Sequence, residues 1–170
     1  MKIPFLPTLI ADAVTDLTPQ LLRQRGVRLL MLDFDNTIVP YTDSHPTKEV
    51  SDWLNAMKES DIQLCVVSNS RKHRVKIFCK AWGIPCITQA KKPFSDGIRR
   101  CIDKFGIPPA QCALVGDQIY TDTLGANAVG VQSILVKAIN NHNVWLKLRH
   151  VAEKPFIYAA KNRRIDHEES

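Results

Sequence analysis

An apolar run in this chain ends abruptly in two carboxylates. The residues Leu29-Leu30-Met31-Leu32 are followed directly by Asp33-Phe34-Asp35-Asn36-Thr37. A short apolar run bounded by polar residues is typical of a strand that is buried on both faces of a parallel sheet. Ligands of open α/β sheets bind at the carboxyl ends of such strands. The run therefore predicts a parallel α/β fold with Asp33 and Asp35 at a ligand site.

The spacing of these two acids carries a second expectation. Side chains two residues apart in an extended chain point the same way, so both carboxylates are expected to face one site while Phe34 packs inside. Two facing carboxylates repel each other unless a cation or a proton lies between them. The pair therefore indicates a site that holds positive charge.

Strand and helix patterns alternate through the middle of the chain. Apolar residues at i, i+3, i+4, i+7 spacing, or a terminating glycine, predict helices, which lie over about 50–57, 75–82, 98–105 and 121–129. Apolar runs predict further strands, at 62–67, 86–87, 112–115 and 131–136. We therefore expect a three-layer, Rossmann-like fold, with helices on both faces of a parallel sheet.

The length of 170 residues fits one domain. We expect a core over about residues 27–137, with segments 1–26 and 138–170 as appendages and a frayed end from Lys161. The apolar N-terminus is interrupted by two prolines and an acid well short of a membrane-spanning length. We expect part of it to pack on the domain. The basic amphipathic segment 144–149 either docks on its own domain or lies on a membrane surface.

Charge and cysteine content restrict the partners. The formal charge of +6 and the pI near 9.2 favour anionic partners, whether phosphorylated metabolites, anionic lipid or nucleic acid. Nucleic acid is disfavoured because no basic run carries interleaved aromatic residues. The five cysteines form no CxxC pair and no zinc-type spacing, which favours a reducing, cytoplasmic compartment. The oligomeric state stays open.

Polar residues follow four of the predicted strands. In chain order these groups are Asp33 with Asp35, Ser68-Asn69-Ser70, Lys91-Lys92-Pro93, and Gly116-Asp117 with Asp122. Local evidence explains Ser68 or Ser70 equally well as a helix cap, and Asp122 as a charge at a helix N-terminus. A third carboxylate, Asp117, beside the first pair would be strongly unfavourable without a metal, and Mg²⁺ suits such a site.

These four groups resemble the motifs of the haloacid dehalogenase (HAD) superfamily. That superfamily has a DxDx[TV] strand end, a Ser/Thr strand end, a lysine, and an acidic GDxxxxD-type strand end, and all four occur here in order between about Leu29 and Val136. The conjunction on alternating elements is far more specific than DxDxT alone. The resemblance implies a phosphatase.

The resemblance also implies roles. Asp33 is the nucleophile that forms an aspartyl-phosphate, and Asp35 is the acid/base, with its backbone carbonyl also reaching the metal. Lys92 offsets phosphoryl charge, while Lys91 is its solvated neighbour. Ser68 and Asn69 bind phosphate. Asp33, Asp35 and Asp117 hold Mg²⁺, with Thr37 and Asp122 in support. We expect the three metal-binding acids to converge on one ion, with the Lys92 amine nearby.

The chain has no room for a cap domain in either usual position, which implies an open site. The full pattern resembles the YqeG group of capless phosphatases, which is similar to phosphatidylglycerophosphate phosphatases. This implies a lipid phosphate as substrate and a peripheral position at the inner face of a membrane. Two alternatives stay open: a phosphatase of soluble metabolites or phosphoproteins, and a non-catalytic phosphate-binding or assembly module.

Overall fold

In the part of the chain that the structure describes, six strands form one fully parallel sheet. They are β1 (Leu9–Ile10), β2 (Leu29–Leu32), β3 (Gln63–Val67), β4 (Cys86–Ile87), β5 (Cys112–Gly116) and β6 (Gln132–Leu135). Their order across the sheet is β1-β6-β5-β2-β3-β4. The computed structural model describes residues 3–71, 73–139 and 144–165, with side chains left out over 144–151. The carboxyl ends of the central strands β2, β3 and β5 meet at one edge of this sheet.

Helices follow the strands. They are α1 (Pro19–Gln24), α2 (Lys48–Lys58), α3 (His73–Trp82), α4 (Asp96–Phe105), α5 (Leu124–Ala128) and α6 (Val144–Ala159), with short 3-10 turns at Val14–Asp16, Pro109–Gln111 and Lys161–Arg163. Thr47 caps α2 by accepting the Val50 amide, and Gly106 closes α4 in the left-handed conformation. The helix expected over 121–129 begins instead as a π-helical turn, Ile119–Thr123, and continues as α5.

The core lies on both faces of the sheet. Along β2, Leu30 and Leu32 pack with residues of α2 and α3, whereas Leu29 and Met31 pack with residues of α4 and α5. Side chains that alternate along a strand and are all buried require a layer on each side. The predicted three-layer α/β fold is therefore confirmed. One helix separates β2 from β3 and one separates β3 from β4, so the described chain holds no cap domain.

The segment 1–26, which we expected to be an appendage, contributes β1 to the sheet. Leu9 and Ile10 pair in parallel with Ile134 and Leu135, and this adds an edge strand. Leu9 and Ile10 precede the alternating series of strands and helices from which the other strands were predicted. Farther upstream, the Phe5 ring packs 5.2 Å from that of Phe156, so the apolar N-terminus covers its own domain.

The C-terminal segment is also held. The Ile165 amide donates to the Ile10 carbonyl at 2.9 Å, and Arg164 forms an ion pair with Asp12. The expected fraying is therefore wrong as far as residue 165, and residues 166–170 lie outside the described part. The end of α6 packs on the domain through Phe156 and Ile157. Among the described residues, no helix combines the length and the apolar character needed to cross a membrane.

Candidate active site

Lys92 occupies the centre of the polar strand ends. Its Nζ donates to Asp33 Oδ1 and to Asp122 Oδ1, each at 2.7 Å, and its side chain is 1% exposed. Burial alone would lower the pKa of this amine, but the ion pairs with Asp122 and Asp33 more than offset it and raise the pKa above 10.5. A buried, permanently charged cation therefore lies between two acids. The neighbouring Lys91 is exposed, as expected.

Asn69 holds the backbone of Lys92. Its side-chain Nδ2 donates to the Lys92 carbonyl at 2.8 Å, and its Oδ1 accepts the Lys92 amide at 2.7 Å. This side chain therefore positions the lysine, and only the backbone of Asn69 remains a candidate for phosphate binding. Ser68 is buried, and its Oγ accepts the Ser70 amide at 3.1 Å, which leaves the hydroxyl proton to donate elsewhere.

Three carboxylates form a cluster beside this amine. One oxygen from each of Asp33, Asp117 and Asp122 lies within 4.8 Å of the other two. Asp33 and Asp117 come from neighbouring strands, and the Asp33 amide donates to the Val115 carbonyl at 2.9 Å. Asp117 Oδ1 is buried without a hydrogen-bond partner. Burial, and then the charges of Asp33 and Asp122, hold the pKa of Asp117 well above 3.8. Such a buried, unpartnered carboxylate oxygen fits a hard divalent cation.

Both oxygens of Asp122 are engaged by the protein. Oδ1 accepts from Lys92, and Oδ2 accepts the Gln118 amide at 3.2 Å, within the π-helical turn. Burial raises the pKa of Asp122 to about 6, against the opposing charge of Lys92. This arrangement suits a residue that orients Lys92, the supporting role that the sequence pattern implied.

Gly116 is required by the close approach of Asp122. A Cβ added at residue 116 would lie 2.2 Å from Asp122 Oδ2 and 2.3 Å from its Cγ. Gly116 is otherwise an ordinary residue of β5, so the constraint on it is steric.

We expect Gly116→Ala to push Asp122 off Lys92. The cost of overpacking a buried site is about 1–3 kcal/mol of unfolding free energy. Chemical denaturation measures this, and a variant as stable as the wild type would contradict the steric explanation.

The Asp35 carboxylate lies outside the acidic cluster, which corrects the expectation that the side chains of 33, 35 and 117 converge. It forms an ion pair with Arg74, and Asp122 stands as the third acid instead. Strand β2 ends at Leu32, so the alternation of an extended strand does not reach Asp35, whose carboxylate meets Arg74 instead. Thr37 is buried in the turn after Asp35, where its amide donates to the Phe34 carbonyl at 3.4 Å.

Sequence reasoning missed Arg74 and Glu153. Arg74 is the second residue of α3, one position before the apolar stripe of that helix, and this position gave no specific signal. Glu153 is 2% exposed, and its Oε1 accepts the Ile119 amide at 3.0 Å, so it steadies the π-helical turn after Asp117. A signal existed here, because Glu153 shares i, i+3, i+4 spacing with the apolar Phe156 and Ile157. A cavity of about 90 Å³ separates Glu153 from Asp117.

Comparison with known proteins places this arrangement in a family. The HAD-hydrolase-like family model matches residues 89–159. The probable phosphatase YqeG of Bacillus subtilis (strain 168) is 31% identical over 160 residues, which cover 94% of this chain and 93% of that protein. The match therefore extends over both terminal segments as well as the sheet.

Solved structures show the same fold. The 3-deoxy-D-manno-octulosonate 8-phosphate phosphatase of Yersinia pestis superposes with a TM-score of 0.52 at 18% identity, covering 85% of this chain and 86% of that one. The enzyme from Moraxella catarrhalis, solved with magnesium, phosphate and its sugar acid, gives 0.51 at 21% identity, covering 83% and 92%. Together with the identity to YqeG, these findings show that the chain belongs to the HAD superfamily of hydrolases, in the family of YqeG-like phosphatases.

Proposed function

We propose that this protein is a Mg²⁺-dependent phosphomonoester hydrolase that works through an aspartyl-phosphate on Asp33, within a single domain spanning residues 1–170. The observation that carries the proposal is the buried Lys92 amine, which lies 2.7 Å from Asp33 beside the unpartnered oxygen of Asp117. Positioning and charge stabilisation are what phosphoryl transfer mainly requires.

Each residue has a step in this reaction. An Asp33 oxygen attacks phosphorus, the bond from phosphorus to the substrate oxygen breaks, and Asp35 donates a proton to the departing oxygen. Water then attacks phosphorus, Asp35 takes its proton, and the bond to Asp33 breaks to release phosphate. Lys92, the Ser68 hydroxyl and the Asn69 backbone would hold the phosphoryl oxygens, since anions favour such donors.

The residues present fit a magnesium ion. Asp33 and Asp117, with the backbone carbonyl of Asp35, would hold it, and the ion would offset the negative charge of the phosphoryl oxygens. The unpartnered Asp117 oxygen and its raised pKa support this assignment. The magnesium and phosphate in the Moraxella catarrhalis structure lend further support.

The raised pKa values of Asp117 and Asp122 make the stability of the folded chain depend on pH. Asp117 and Asp122 bind a proton more tightly in the folded chain than at the ordinary pKa of 3.8. The folded state therefore holds more protons than the unfolded one, so the free energy of unfolding falls as pH rises through the interval from 3.8 to about 6 for Asp122. We expect the Tm of metal-free protein to rise when pH is lowered from about 7 to about 5.

Magnesium should raise the Tm more at neutral pH, where the carboxylates are free of protons, than at acidic pH. Thermal unfolding at the two pH values measures both effects. Asp117→Asn is the matched control and should weaken both. If magnesium raised the Tm by the same amount at both pH values, the assignment of these carboxylates as magnesium ligands would be contradicted.

We further propose a lipid phosphate, phosphatidylglycerophosphate, as the substrate. The described chain has no cap domain to cover the site. Its large exposed apolar residues include Phe94, two positions beyond Lys92, and Tyr41, in the loop beyond Asp35. Exposed aromatic residues this close in sequence to site residues suit a bulky apolar substituent. The net charge of +6 favours peripheral contact with anionic lipid. The apolar N-terminus gives less support, because its Phe5 packs on the domain.

A phosphate-release assay tests the proposal. Purified protein is given phosphatidylglycerophosphate in mixed micelles, a set of soluble sugar and nucleotide phosphates, and a phosphopeptide, each with and without Mg²⁺. We expect Mg²⁺-dependent release from the lipid. Release from soluble phosphates alone would favour a metabolite phosphatase, the activity in the names of the structural relatives.

Asp35→Asn separates an enzyme from a binding module. We expect turnover to fall by about 10²–10⁴-fold, since proton transfer contributes that much, while thermal stability changes little because the side chain is partly exposed. A variant with unchanged release would rule out Asp35 as the acid/base and favour incidental catalysis by a phosphate-binding module.

A further inference from the structure

Arg74 contacts the Asp35 turn through both of its terminal nitrogens. Its Nη2 pairs with the Asp35 carboxylate, and its Nη1 donates to the carbonyls of Tyr41 at 2.9 Å and Asp43 at 2.6 Å. The guanidinium carbon also lies 5.0 Å from the centre of the Phe34 ring. The Arg74 side chain therefore contacts the turn at four positions between residues 34 and 43.

Phe34 and the first turn of α3, which carries Arg74, are both held by packing in the core. Phe34 is fully buried, and its ring packs 5.2 Å from that of Phe78 in an edge-on arrangement. Arg74 itself is in the first turn of α3, which packs on β3 and β4 through the core. A planar guanidinium that bonds in a fork and stacks on an aromatic face cannot be replaced by the point charge of a lysine.

The hydrogen bonds of Arg74 go to the turn rather than to the phosphate-binding residues. Both terminal nitrogens of Arg74 are engaged by the turn, one with the carboxylate and one with two carbonyls. The cation that contacts the nucleophile is Lys92 instead. What Arg74 fixes is the carboxylate of Asp35.

We propose that Arg74 is a positioning residue that holds the Asp35 carboxyl where it exchanges a proton with the leaving oxygen. The inference rests on the proposed function. Loss of Arg74 should weaken protonation of the leaving group and leave the attack by Asp33 unchanged. A merely structural residue would slow every substrate alike.

Two substrates with different leaving groups distinguish these roles. para-Nitrophenyl phosphate releases a stable anion that needs no proton, whereas an alkyl phosphate releases an alkoxide that does. The quantity to measure is kcat/KM, because it reports only the steps up to and including the first irreversible one, which is the departure of the leaving group. The alkyl substrate is the one that the wild type hydrolyses fastest in the phosphate-release assay.

For Arg74→Ala we expect kcat/KM to fall about 100-fold on the alkyl phosphate and only a few-fold on the aryl phosphate, given the usual size of general-acid effects. Arg74→Lys should show the same selective loss. Adding Arg74→Ala to Asp35→Asn should cost little more than Asp35→Asn alone, because the two changes remove one function. Lys76→Ala, at an exposed position of α3, is the matched control and should behave as the wild type.

Equal losses on both substrates, additive losses with Asp35→Asn, or full activity of Arg74→Lys would each overturn the role of Arg74. If Arg74→Ala does not fold, Arg74→Lys and Arg74→Gln carry the same comparison. A wild type that releases phosphate from neither substrate class overturns the proposed function itself, an outcome that differs from all of these.

Discussion

Asp33→Asn should fold normally and lose phosphate release by roughly 10⁴-fold or more, the usual scale for removal of a nucleophile. The amide keeps the shape of the side chain and an oxygen that can accept from Lys92. It cannot attack phosphorus as a carboxylate does. Steady-state release on the best substrate measures the loss.

The same change should not destabilise the metal-free protein. With all three acids ionised, the cluster and Lys92 carry a net charge of −2. The Asp33→Asn change removes one negative charge and leaves −1, so the mutual repulsion is weaker. Asp33 also contributes to the raised pKa values of Asp117 and Asp122. We therefore expect an equal or higher Tm at neutral pH. Asp52→Asn, on the exposed face of α2, is the matched control. An Asp33→Asn enzyme within ten-fold of the wild type would contradict the nucleophile assignment.

Lys92→Met should lose both activity and stability. Removal of the amine leaves three acids around a buried apolar chain, and breaking a buried ion pair costs about 3–5 kcal/mol of unfolding free energy. Release should fall to background, because the charge that faces the phosphoryl group is gone. Denaturant unfolding and steady-state kinetics measure the two losses.

Acid and magnesium should restore stability to this variant without restoring activity. The uncompensated acids take up protons as pH falls, so the stability gap to the wild type should narrow towards about pH 5. Lys91→Met is the matched control, because that side chain is exposed. A Lys92→Met protein as stable as the Lys91→Met protein at neutral pH would show that the ion pairs with Asp33 and Asp122 do not hold the site together.

The middle of the fold could be predicted from the sequence because its elements have clear periodicity. The stripe of Val50, Trp53, Leu54 and Met57 is the buried face of α2. The apolar runs became the five strands β2 to β6, and no strand end shifts by more than one residue. Periodicity reports burial, and burial is what a parallel sheet with two covered faces imposes.

The β1 edge of the sheet could not be predicted in this way. Strand β1, Leu9 and Ile10, precedes the alternating series of strands and helices, and its place depends on backbone bonds to β6. The end of the chain joins the same edge through the bond from Ile165 to Ile10. These pairings join residues more than 120 positions apart, which no local pattern encodes.

The same difference separates the site residues that could be predicted from those that could not. The strand ends that bear Asp33, Lys92 and Asp117 lie together because the sheet dictates it. Asp35 departs from the expected cluster because β2 ends before it and its carboxylate forms an ion pair with Arg74. Its partner Arg74 lies 39 positions away and is placed by the packing of α3.

The central claim is that Asp33 carries the phosphoryl group during turnover. Borohydride reduction of protein quenched during hydrolysis, followed by peptide mass spectrometry, tests it most directly, because hydride converts an acyl phosphate to an alcohol with loss of phosphate. We predict homoserine at residue 33, formed only when both substrate and Mg²⁺ are present and absent from Asp33→Asn. Homoserine at another aspartate, or unmodified Asp33 in an enzyme that is releasing phosphate, would contradict the account.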